Sequence, residues 1–225
     1  MDFEGTQFSH EMIAIGAVLV SIDRNGKIKK MKKPFKTLVK AKNKVGRFVV
    51  DLTGITDAQI AKEGVSFATA MTEFKKYCGL NFKKATFITF GSHDLTILNR
   101  SISYSFDYPK ETVQQIQKNY LDLLGFLNEF IKDPKGNQIS LQHFLELFGV
   151  TPEGEAHDPA YDALNLALLY DAVVAHPEIV QAEYKKVLGN FNHFPEPVKN
   201  VIAKLVNNEP VDPEFLDDAI KKYIS

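Results

Sequence analysis

A nearly continuous apolar and β-branched run, Met12 to Ile22 (MIAIGAVLVSI), constrains the fold of this chain more than any other feature. It is shorter than the roughly 20 residues of a membrane-spanning helix, and its β-branched content favours a core strand. The residues Asp23 to Gly26 then predict a turn, and Lys27 to Val39 predict a second strand. Pro34 places this second strand at a sheet edge or interrupts it. We therefore expect an antiparallel hairpin in or beside the core.

Helical and strand patterns alternate after this hairpin. Thr56 and Ser66 are suited to cap two helices, and the second of these is expected to run to about Tyr77. The apolar residues of that helix recur at helical spacing; they are Phe67, Ala70, Met71 and Phe74. The later predicted elements are strands at Ala85–Phe90 and Tyr120–Leu123, and helices from Asp94 to Ser101, after Leu123 through Phe130, at Leu141–Phe148 and at Pro159–Val174. This order predicts an α/β protein whose mixed sheet is covered by helices.

The chain changes character beyond His176. Three amphipathic stretches, separated by prolines and asparagines, lie near Pro177–Leu188, Pro195–Leu205 and Pro213–Tyr223. We expect a main domain at residues 1–176, followed by a helical C-terminal appendage at residues 177–225.

Composition excludes several protein classes. With 44% hydrophobic and 24% charged residues, the 225-residue chain has the balance of an ordinary globular protein. Its single cysteine, Cys78, excludes a disulfide scaffold and a cysteine-based zinc site, and it suits a reducing compartment. The sequence contains no G-x-x-x-x-G-K-[ST], G-x-G-x-x-G, G-x-S-x-G or H-E-x-x-H motif. Because no membrane span and no secretory signal are evident, we predict a cytoplasmic protein without a membrane partner.

The near-neutral net charge of −1 conceals an uneven distribution. Arg24 to Val50 holds nine lysines and two arginines without an acid, a charge of +11, whereas the other residues hold 16 bases against 28 acids, a charge of −12. A basic segment on an acidic body is typical of polyanion binding, with Lys30, Lys32 and Lys33 as candidate contacts to a nucleic-acid backbone. The same lysines are also suited to protect an exposed edge strand from pairing with other chains. The sequence leaves both interpretations open.

Three groups of carboxylates are candidates for chemistry. Asp2 and Glu4, in Asp2-Phe3-Glu4, would point to the same face of a strand with Phe3 turned to the core. Asp94 follows a buried strand, and His157 and Asp162 flank the start of a predicted helix. Each group also has a purely structural explanation: a solvated chain end for the first, an N-cap for Asp94, and a structural histidine before a helix for the third.

Within the third group, Asp158 and Pro159 fit the start of a helix. Asp158 suits the N-cap and Pro159 the first helical position, so that His157 would lie in the preceding loop and Asp162 in the first turns.

Taken together, these motifs resemble the DnaQ-like, DEDDh family of 3′-to-5′ exonucleases. That family carries Asp-x-Glu on the first strand, an Asp at the end of a later strand and His-x-x-x-x-Asp at a helix start, which are here DFE, SHD and HDPAYD. The surrounding segments EMIAIGAV, LTGIT and TFGSHDLTIL are similar to the branch that includes histone-mRNA and RNA-interference-type exonucleases. The resemblance covers Met1 to about Ala175. It implies an RNase H-like, mixed five-stranded sheet flanked by helices, and hydrolysis at the 3′ ends of single-stranded nucleic acid, with RNA favoured over DNA.

The resemblance also implies a role for each site residue. The implied metal ligands are Asp2, Glu4, Asp94 and Asp162. His157 is the implied base that takes a proton from the attacking water, a task that suits an imidazole at neutral pH. Two Mg²⁺ or Mn²⁺ ions are the implied cofactors, because hard carboxylate oxygens prefer them and because cations relieve the repulsion among four carboxylates. The implied substrate-binding residues are Gly5 and Thr6 through their backbone, and Ile55 and Phe90 through apolar contact with end bases, although Phe90 is equally suited to the core.

Two departures from the family pattern stand out. His93 occupies a position where relatives often carry an aromatic residue, and only Met1 precedes Asp2, whereas a central strand runs about 5–6 residues. We therefore expect a natural chain that begins upstream of Met1. The short strand also leaves open an inactive relative that binds nucleic acid or protein through the retained fold. A third interpretation, an RNase H-like endonuclease or integrase, has no evident use for His157 five residues before Asp162.

Overall fold

The computed structural model describes residues 1–190 and 194–224. Its strands are β1 (Asp2–Gly5), β2 (Met12–Ala17), β3 (Val20–Ile22), β4 (Ile28–Met31), β5 (Phe35–Leu38), β6 (Phe87–Thr89) and β7 (Tyr120–Asp122). Its helices are α1 (Arg47–Thr53), α2 (Asp57–Glu63), α3 (Phe67–Cys78), α4 (His93–Tyr104), α5 (Lys110–Lys118), α6 (Leu123–Leu127), α7 (Leu141–Leu147), α8 (Pro159–Ala175), α9 (Pro177–Gly189), α10 (Glu196–Val206) and α11 (Pro213–Ile224). A short 3₁₀ helix spans Gly79–Lys84. The predicted α/β class is confirmed.

The central strand is β2. It pairs antiparallel with β1 on one side and with β5 on the other, and all six of its residues are buried. Met12 and Ile15 belong to a core cluster with residues of α3 and α4, and Ile13 and Ala14 belong to a second cluster with residues of α1 and α2. Burial on both faces explains why this segment is apolar without alternation.

The two long strands predicted from the sequence are each broken. The backbone leaves β2 at Val18, and the N–H of Leu19 donates to the hydroxyl of Tyr77 at 2.9 Å, so that β3 begins only at Val20. Pro34 separates β4 from β5, as its missing N–H leads one to expect. The two outer pieces, β3 and β4, pair with each other as a separate two-stranded ribbon.

The expected single five-stranded sheet is replaced by two hydrogen-bonded sheets. One contains β1, β2 and β5, and the other contains β6 and β7 in parallel. Among the described residues, the amino group of Met1 donates to the carbonyl of Ile88 in β6 at 2.7 Å, whereas the N–H of Phe3 donates to the carboxylate of Asp94, in α4, at 2.7 Å. The backbone N–H of Phe3 is thus bound by a side chain and not by a neighbouring strand.

The helix predictions are mostly confirmed. Thr56 and Ser66 accept hydrogen bonds from the N–H groups of Gln59 and Thr69 at 3.1 Å each, as N-caps do. The expected core face of α3 is buried at all four positions: Phe67, Ala70, Met71 and Phe74. The sequence did not predict α1 or α5, and the predicted helix through Phe130 ends earlier, at Leu127.

The chain divides into two compact units. The first comprises residues 1–126 and 140–175, and the second comprises residues 127–139 and 176–225. Within the second unit, α9, α10 and α11 agree with the three predicted amphipathic stretches. The ammonium of Lys204 lies 4.2 Å from the ring centre of Phe215, and the rings of Phe130 and Tyr184 meet edge to face at 5.3 Å. The sequence did not predict that residues 127–139 group with these helices.

No single helix in the described ranges is long and apolar enough to cross a membrane; only α8 and α9 taken as a pair meet those criteria.

Candidate active site

Strand β1 presents two carboxylates on one face. Phe3 is buried in the core, and Asp2 and Glu4 point to the opposite side, as the period of a strand predicts. One carboxylate oxygen of Asp2, Oδ2, is buried without a hydrogen-bond partner among the described residues. Such an atom is costly unless a ligand satisfies it, because a buried charge needs a partner.

The N-terminus of α8 holds the third motif. The carboxylate of Asp158 accepts a hydrogen bond from the N–H of Ala160 at 2.9 Å, and Pro159 is the first helical residue, so the predicted cap is confirmed. His157 precedes this cap in the left-handed region, with φ of 64°. Its backbone N–H donates to Oδ2 of Asp162 at 3.0 Å. The turn therefore fixes His157 relative to Asp162.

Gly16 brings this helix to the strands. It lies opposite Asp2 in the β1–β2 register, and a Cβ atom at this position would lie 1.8 Å from the carbonyl oxygen of Pro159. Only glycine leaves room for the first turn of α8 on β2, next to the carboxylates of β1. Sequence reasoning missed this positioning residue, although a glycine inside an apolar strand is the usual signal of a close backbone approach.

These elements bring part of the predicted site together. Glu4, His157 and Asp162 each offer an oxygen or nitrogen atom, and these atoms lie within 4.8 Å of one another. Asp2 and Asp94 are not part of this cluster, and Oδ1 of Asp94 accepts the N–H of Phe3. The structural explanation of Asp94 as an N-cap does not hold: Ser92 occupies the N-cap of α4, and Asp94 lies in the first turn.

Burial and mutual repulsion dominate the electrostatics of the carboxylates. The pKa of Asp2 lies well above its ordinary value, first because of burial and then because of the charges of Asp94, Glu4 and Asp162. Burial, followed by the charges of neighbouring carboxylates, raises the pKa of Glu4 to about 8. Burial also raises the pKa of Asp94 to about 7, and it raises the pKa of Asp162 against the opposing effect of His157. The four side chains are therefore close enough to interact, and a cation would relieve their repulsion.

The predicted substrate-binding residues lie in different environments. Gly5 follows the irregular register at the end of β1. The hydroxyl of Thr6 is buried and lies 2.6 Å from Oγ of Ser9, so it holds the turn. Ile55 is buried in the core beside α1 and α2, whereas Phe90 is half-buried and meets Phe144 edge to face at 5.8 Å. The position of Ile55 favours a core role over contact with a base.

The basic segment reaches the carboxylates through a lysine that the sequence patterns did not single out. The ammonium of Lys36 lies 2.7 Å from Oδ2 of Asp158, and its charge offsets a small part of the rise in the pKa of Glu4 that burial and the neighbouring carboxylates cause. Lys30 and Lys33 are exposed, and Lys32 donates to the backbone carbonyl of Tyr77 at 3.0 Å.

His93 stands beside a second histidine. The rings of His10 and His93 meet edge to face at 5.1 Å. Burial and the proximity of His10 lower the pKa of His93.

Known structures share this fold. The nuclease domain of 3'hExo, described as a DEDDh family member bound to rAMP, is 22% identical, with a TM-score of 0.57 over 79% of this chain and 89% of that one. A 3'-exonuclease described as recognising the 3' end of the histone mRNA stem-loop is 24% identical, with a TM-score of 0.60 over 77% of this chain and 62% of that one. Exonuclease I of E. coli, in complex with a dA16 oligonucleotide, is 18% identical, with a TM-score of 0.56 over 90% of this chain and 44% of that one. The chain thus spans less than two thirds of the last two proteins, and these likenesses show a shared fold.

The family assignment comes from the sequence. Among curated proteins, no relative matches this chain. The model of the RNase T family, described as Exonuclease, matches residues 1–170 and therefore includes all three carboxylate motifs. Because that match covers most of the 225 residues, the chain belongs to this exonuclease family, and its resemblance to the DnaQ-like DEDDh 3′-to-5′ exonucleases is confirmed.

Proposed function

We propose that this protein is a metal-dependent 3′-to-5′ exonuclease that acts on single-stranded nucleic acid and releases nucleoside 5′-monophosphates. The observation that carries the proposal is the convergence of Glu4, His157 and Asp162 within 4.8 Å, beside Asp2 and Asp94 with their raised pKa values. A purely structural site would not gather mutually repelling carboxylates at this cost.

The residues present fit divalent cations. Oδ2 of Asp2 is buried without a hydrogen-bond partner among the described residues. The metal-ligand atoms that surround it are carboxylate oxygens, which Mg²⁺ and Mn²⁺ prefer. We propose Asp2, Glu4, Asp94 and Asp162 as the groups that hold two such ions. When bound, paired divalent cations lower the pKa of a water molecule and stabilise charge on the departing oxygen.

His157 is the proposed general base. Its imidazole lies beside Glu4 and Asp162 and is exposed, so it can reach a water molecule and pass the proton on to solvent. The hydrogen bond from its backbone N–H to Oδ2 of Asp162 holds the backbone of His157 next to that carboxylate and supports this role.

We favour RNA over DNA as the substrate. The support is the likeness to a nuclease domain bound to rAMP and to an exonuclease described with histone mRNA, whereas Exonuclease I of E. coli is described with DNA oligonucleotides.

The lysines Lys30, Lys32 and Lys33 are proposed contacts to the phosphate backbone. We further propose residues 1–176 as the exonuclease domain and residues 177–225 as its helical appendage, and the cytoplasm as its location.

The test uses single strands of RNA and of DNA, labelled at either end and incubated with Mn²⁺ or with chelator. Stepwise loss from the 3′ end that requires the metal, and that Asp162→Asn abolishes, is the expected result. The matched control is Asp107→Asn, which neutralises an exposed aspartate that no motif includes. Binding without cleavage in the unaltered protein would instead support an inactive, nucleic-acid-binding relative, and internal cuts would support an endonuclease.

A further inference from the structure

The proposed general base stands at the end of an exposed loop. Residues 151–157, here called the histidine loop, lie between α7 and α8, and all seven are exposed. Gly154 and His157 both have positive φ, 71° and 64°. Because exposed loops are less rigid than the elements they connect, the position of the imidazole depends on the contacts that attach this loop to the fold.

Asn165 of α8 attaches the histidine loop at Glu153. Its Oδ1 accepts the N–H of Glu153 at 2.8 Å, and its Nδ2 donates to the carbonyl of the same residue at 3.0 Å. Asn165 is only 5% exposed, so a buried amide uses its donor and its acceptor on one residue of the loop. Since a position this buried is usually apolar, the loop that the amide holds explains its presence here.

Tyr161 of α8 attaches the loop at the next residue. A Cβ atom added to Gly154 would overlap the ring of Tyr161, so this ring occupies the space that a side chain at position 154 would need. Tyr161 and Asn165 lie four positions apart and therefore share one face of the helix. From that face, the two side chains hold consecutive residues of the loop.

The same helix also holds the end of the loop, where Asp162 accepts the N–H of His157 at 3.0 Å. Only two residues, Glu155 and Ala156, separate Gly154 from His157. A segment this short, attached at both ends, leaves little conformational freedom to the backbone that carries the imidazole.

We propose that Tyr161 and Asn165 are positioning residues for the general base His157, an inference that rests on the proposed function. Without these two side chains the loop would sample other arrangements, and the imidazole would stand beside the carboxylates for a smaller share of the time. The carboxylates lie on β1, α4 and α8 and would keep their places. The chemical step should therefore slow while binding of the strand is unchanged, since an error of about 1 Å in catalytic geometry costs about 10²-fold.

The first test removes each attachment in turn. Tyr161→Ala deletes the ring, whereas its matched control, Tyr161→Phe, keeps the ring and loses only the hydroxyl. Asn165→Leu fills the buried position with a side chain of similar size that makes neither hydrogen bond. The backbone groups that it frees belong to Glu153, an exposed residue, and can bind water.

The rate is measured in single-turnover hydrolysis of a labelled single strand with Mn²⁺. The maximal rate should fall about tenfold in Tyr161→Ala and in Asn165→Leu, the effect expected for the loss of about one hydrogen bond. The strand concentration that gives half of this rate should not change. Tyr161→Phe should match the unaltered chain in both quantities.

A second test measures the coupling to His157. In the His157→Asn background, Tyr161→Ala and Asn165→Leu should cause no further loss of rate, because no imidazole is left to position. The control for stability is Ala172→Gly, which weakens α8 ten residues beyond Asp162. It should lower the melting temperature and leave the rate unchanged.

A third test does not depend on hydrolysis. Amide hydrogen exchange of residues 151–157, measured in chelator, reports how firmly the loop is attached. Exchange should be about tenfold faster in Tyr161→Ala and in Asn165→Leu than in the unaltered chain, and Tyr161→Phe should leave it unchanged.

Three outcomes would overturn the inference while leaving the proposed function intact. They are unchanged maximal rates in both Tyr161→Ala and Asn165→Leu, a further loss of rate in the His157→Asn background, and equal effects of Tyr161→Ala and Tyr161→Phe. The last outcome would assign a direct role to the hydroxyl of Tyr161. Absence of hydrolysis by the unaltered chain would refute the proposed function and, with it, this inference.

Discussion

At the scale of single residues, the free-energy cost of forming this site lies in the burial of the Asp2 carboxylate. Its Oδ2 is buried without a partner among the described residues, and burial raises its pKa well above the ordinary value. Asp94 avoids part of this cost by accepting the N–H of Phe3. The two carboxylates therefore differ in how they are satisfied, and Asp2 is the one whose burial only a ligand explains.

Replacing Asp2 separates stability from function. Asp2→Asn removes a buried charge and keeps the size of the side chain, so we expect a higher melting temperature in chelator at pH 8 together with loss of metal-dependent hydrolysis.

Asp162→Asn should also abolish hydrolysis, and the double variant of Asp2 and Asp162 should be no worse than either single one, because residues of one site act as a unit. Simple additivity of the two activity losses would contradict a shared metal site.

The role of His157 is tested by a variant that tolerates its backbone. Asparagine is among the residues that accept a positive φ, so His157→Asn should retain the turn and the hydrogen bond to Asp162. Turnover should fall roughly 10²–10⁴-fold, the usual range for loss of a positioned acid–base group, while affinity for a single strand changes little. Near-normal turnover at neutral pH would rule out His157 as the base.

At the scale of elements, the sequence predicted the position of the site residues from local patterns within single helices and strands. Asp158 and Pro159 mark the start of α8, and Asp2 and Glu4 follow the two-residue period of a strand, so their placement follows from local rules. The close approach of α8 to β2 was not predictable in the same way, because it depends on Gly16 meeting a backbone carbonyl from a distant part of the chain. The hydrogen bond from the N–H of Phe3 to Asp94 likewise joins residues 91 positions apart, which local patterns do not predict.

Helix α1 is an element whose local sequence favours a different secondary structure from the one that forms. Its sequence contains Phe48, Val49 and Val50, which have strand propensity, yet these residues form a helix between Gly46 and Gly54, both of which have positive φ. Packing of Val49 beside Ile55 and Ile60 overrides local preference here. A pattern of this length does not distinguish the two structures.

Gly16→Ala tests the approach of α8 to β2. The added methyl would meet the carbonyl of Pro159 at 1.8 Å, so either the strand or the first turn of the helix must move. We expect a loss of about 1–3 kcal/mol in the free energy of unfolding and, since an error of about 1 Å in catalytic geometry costs about 10²-fold, a fall in turnover of that order. Denaturant unfolding and single-turnover kinetics measure the two effects. Gly189→Ala, where an added Cβ would lie 4.0 Å from the side chain of Val206, is the control and should change neither.

The basic segment is tested by its salt dependence. Replacing Lys30, Lys32 and Lys33 with glutamine should weaken binding of single-stranded RNA and flatten the slope of log K against log salt by about 0.7 for each phosphate that is no longer neutralised. Titrations at several salt concentrations measure the slope. An unchanged slope would mean that these lysines do not contact phosphates and would support their role in protecting the β3–β4 edge.

At the scale of the whole molecule, the charge distribution links stability to metal. The sequence predicted a family fold and a carboxylate site, but its motifs do not specify the environment of each carboxylate. That environment arises where β1, α4 and α8 meet, since burial there has the largest effect on the pKa of Asp2, Glu4 and Asp94. The consequence is global, because protons bound only by the folded state make its stability depend on pH.

We therefore expect the metal-free protein to lose stability as the pH rises. The pKa of Glu4 rises from 4.5 to about 8 on folding, and that of Asp94 from 3.8 to about 7. Between the lower and the upper values the folded state holds protons that the unfolded state has released, so deprotonation across this range penalises the folded state alone. In chelator, the melting temperature should fall between about pH 4.5 and pH 8 and then level off.

Added Mn²⁺ should reverse this loss of stability. It should stabilise the folded protein most at pH 8, where the carboxylates are free of protons, by about 2.7 kcal/mol at 100 times its dissociation constant. Thermal melts in chelator and in Mn²⁺ across this range measure both effects, and the double variant Asp2→Asn with Glu4→Gln should flatten the pH dependence and abolish the stabilisation by Mn²⁺. Metal-free stability that rises toward pH 8 would mean that these carboxylates are charged and satisfied without a cation.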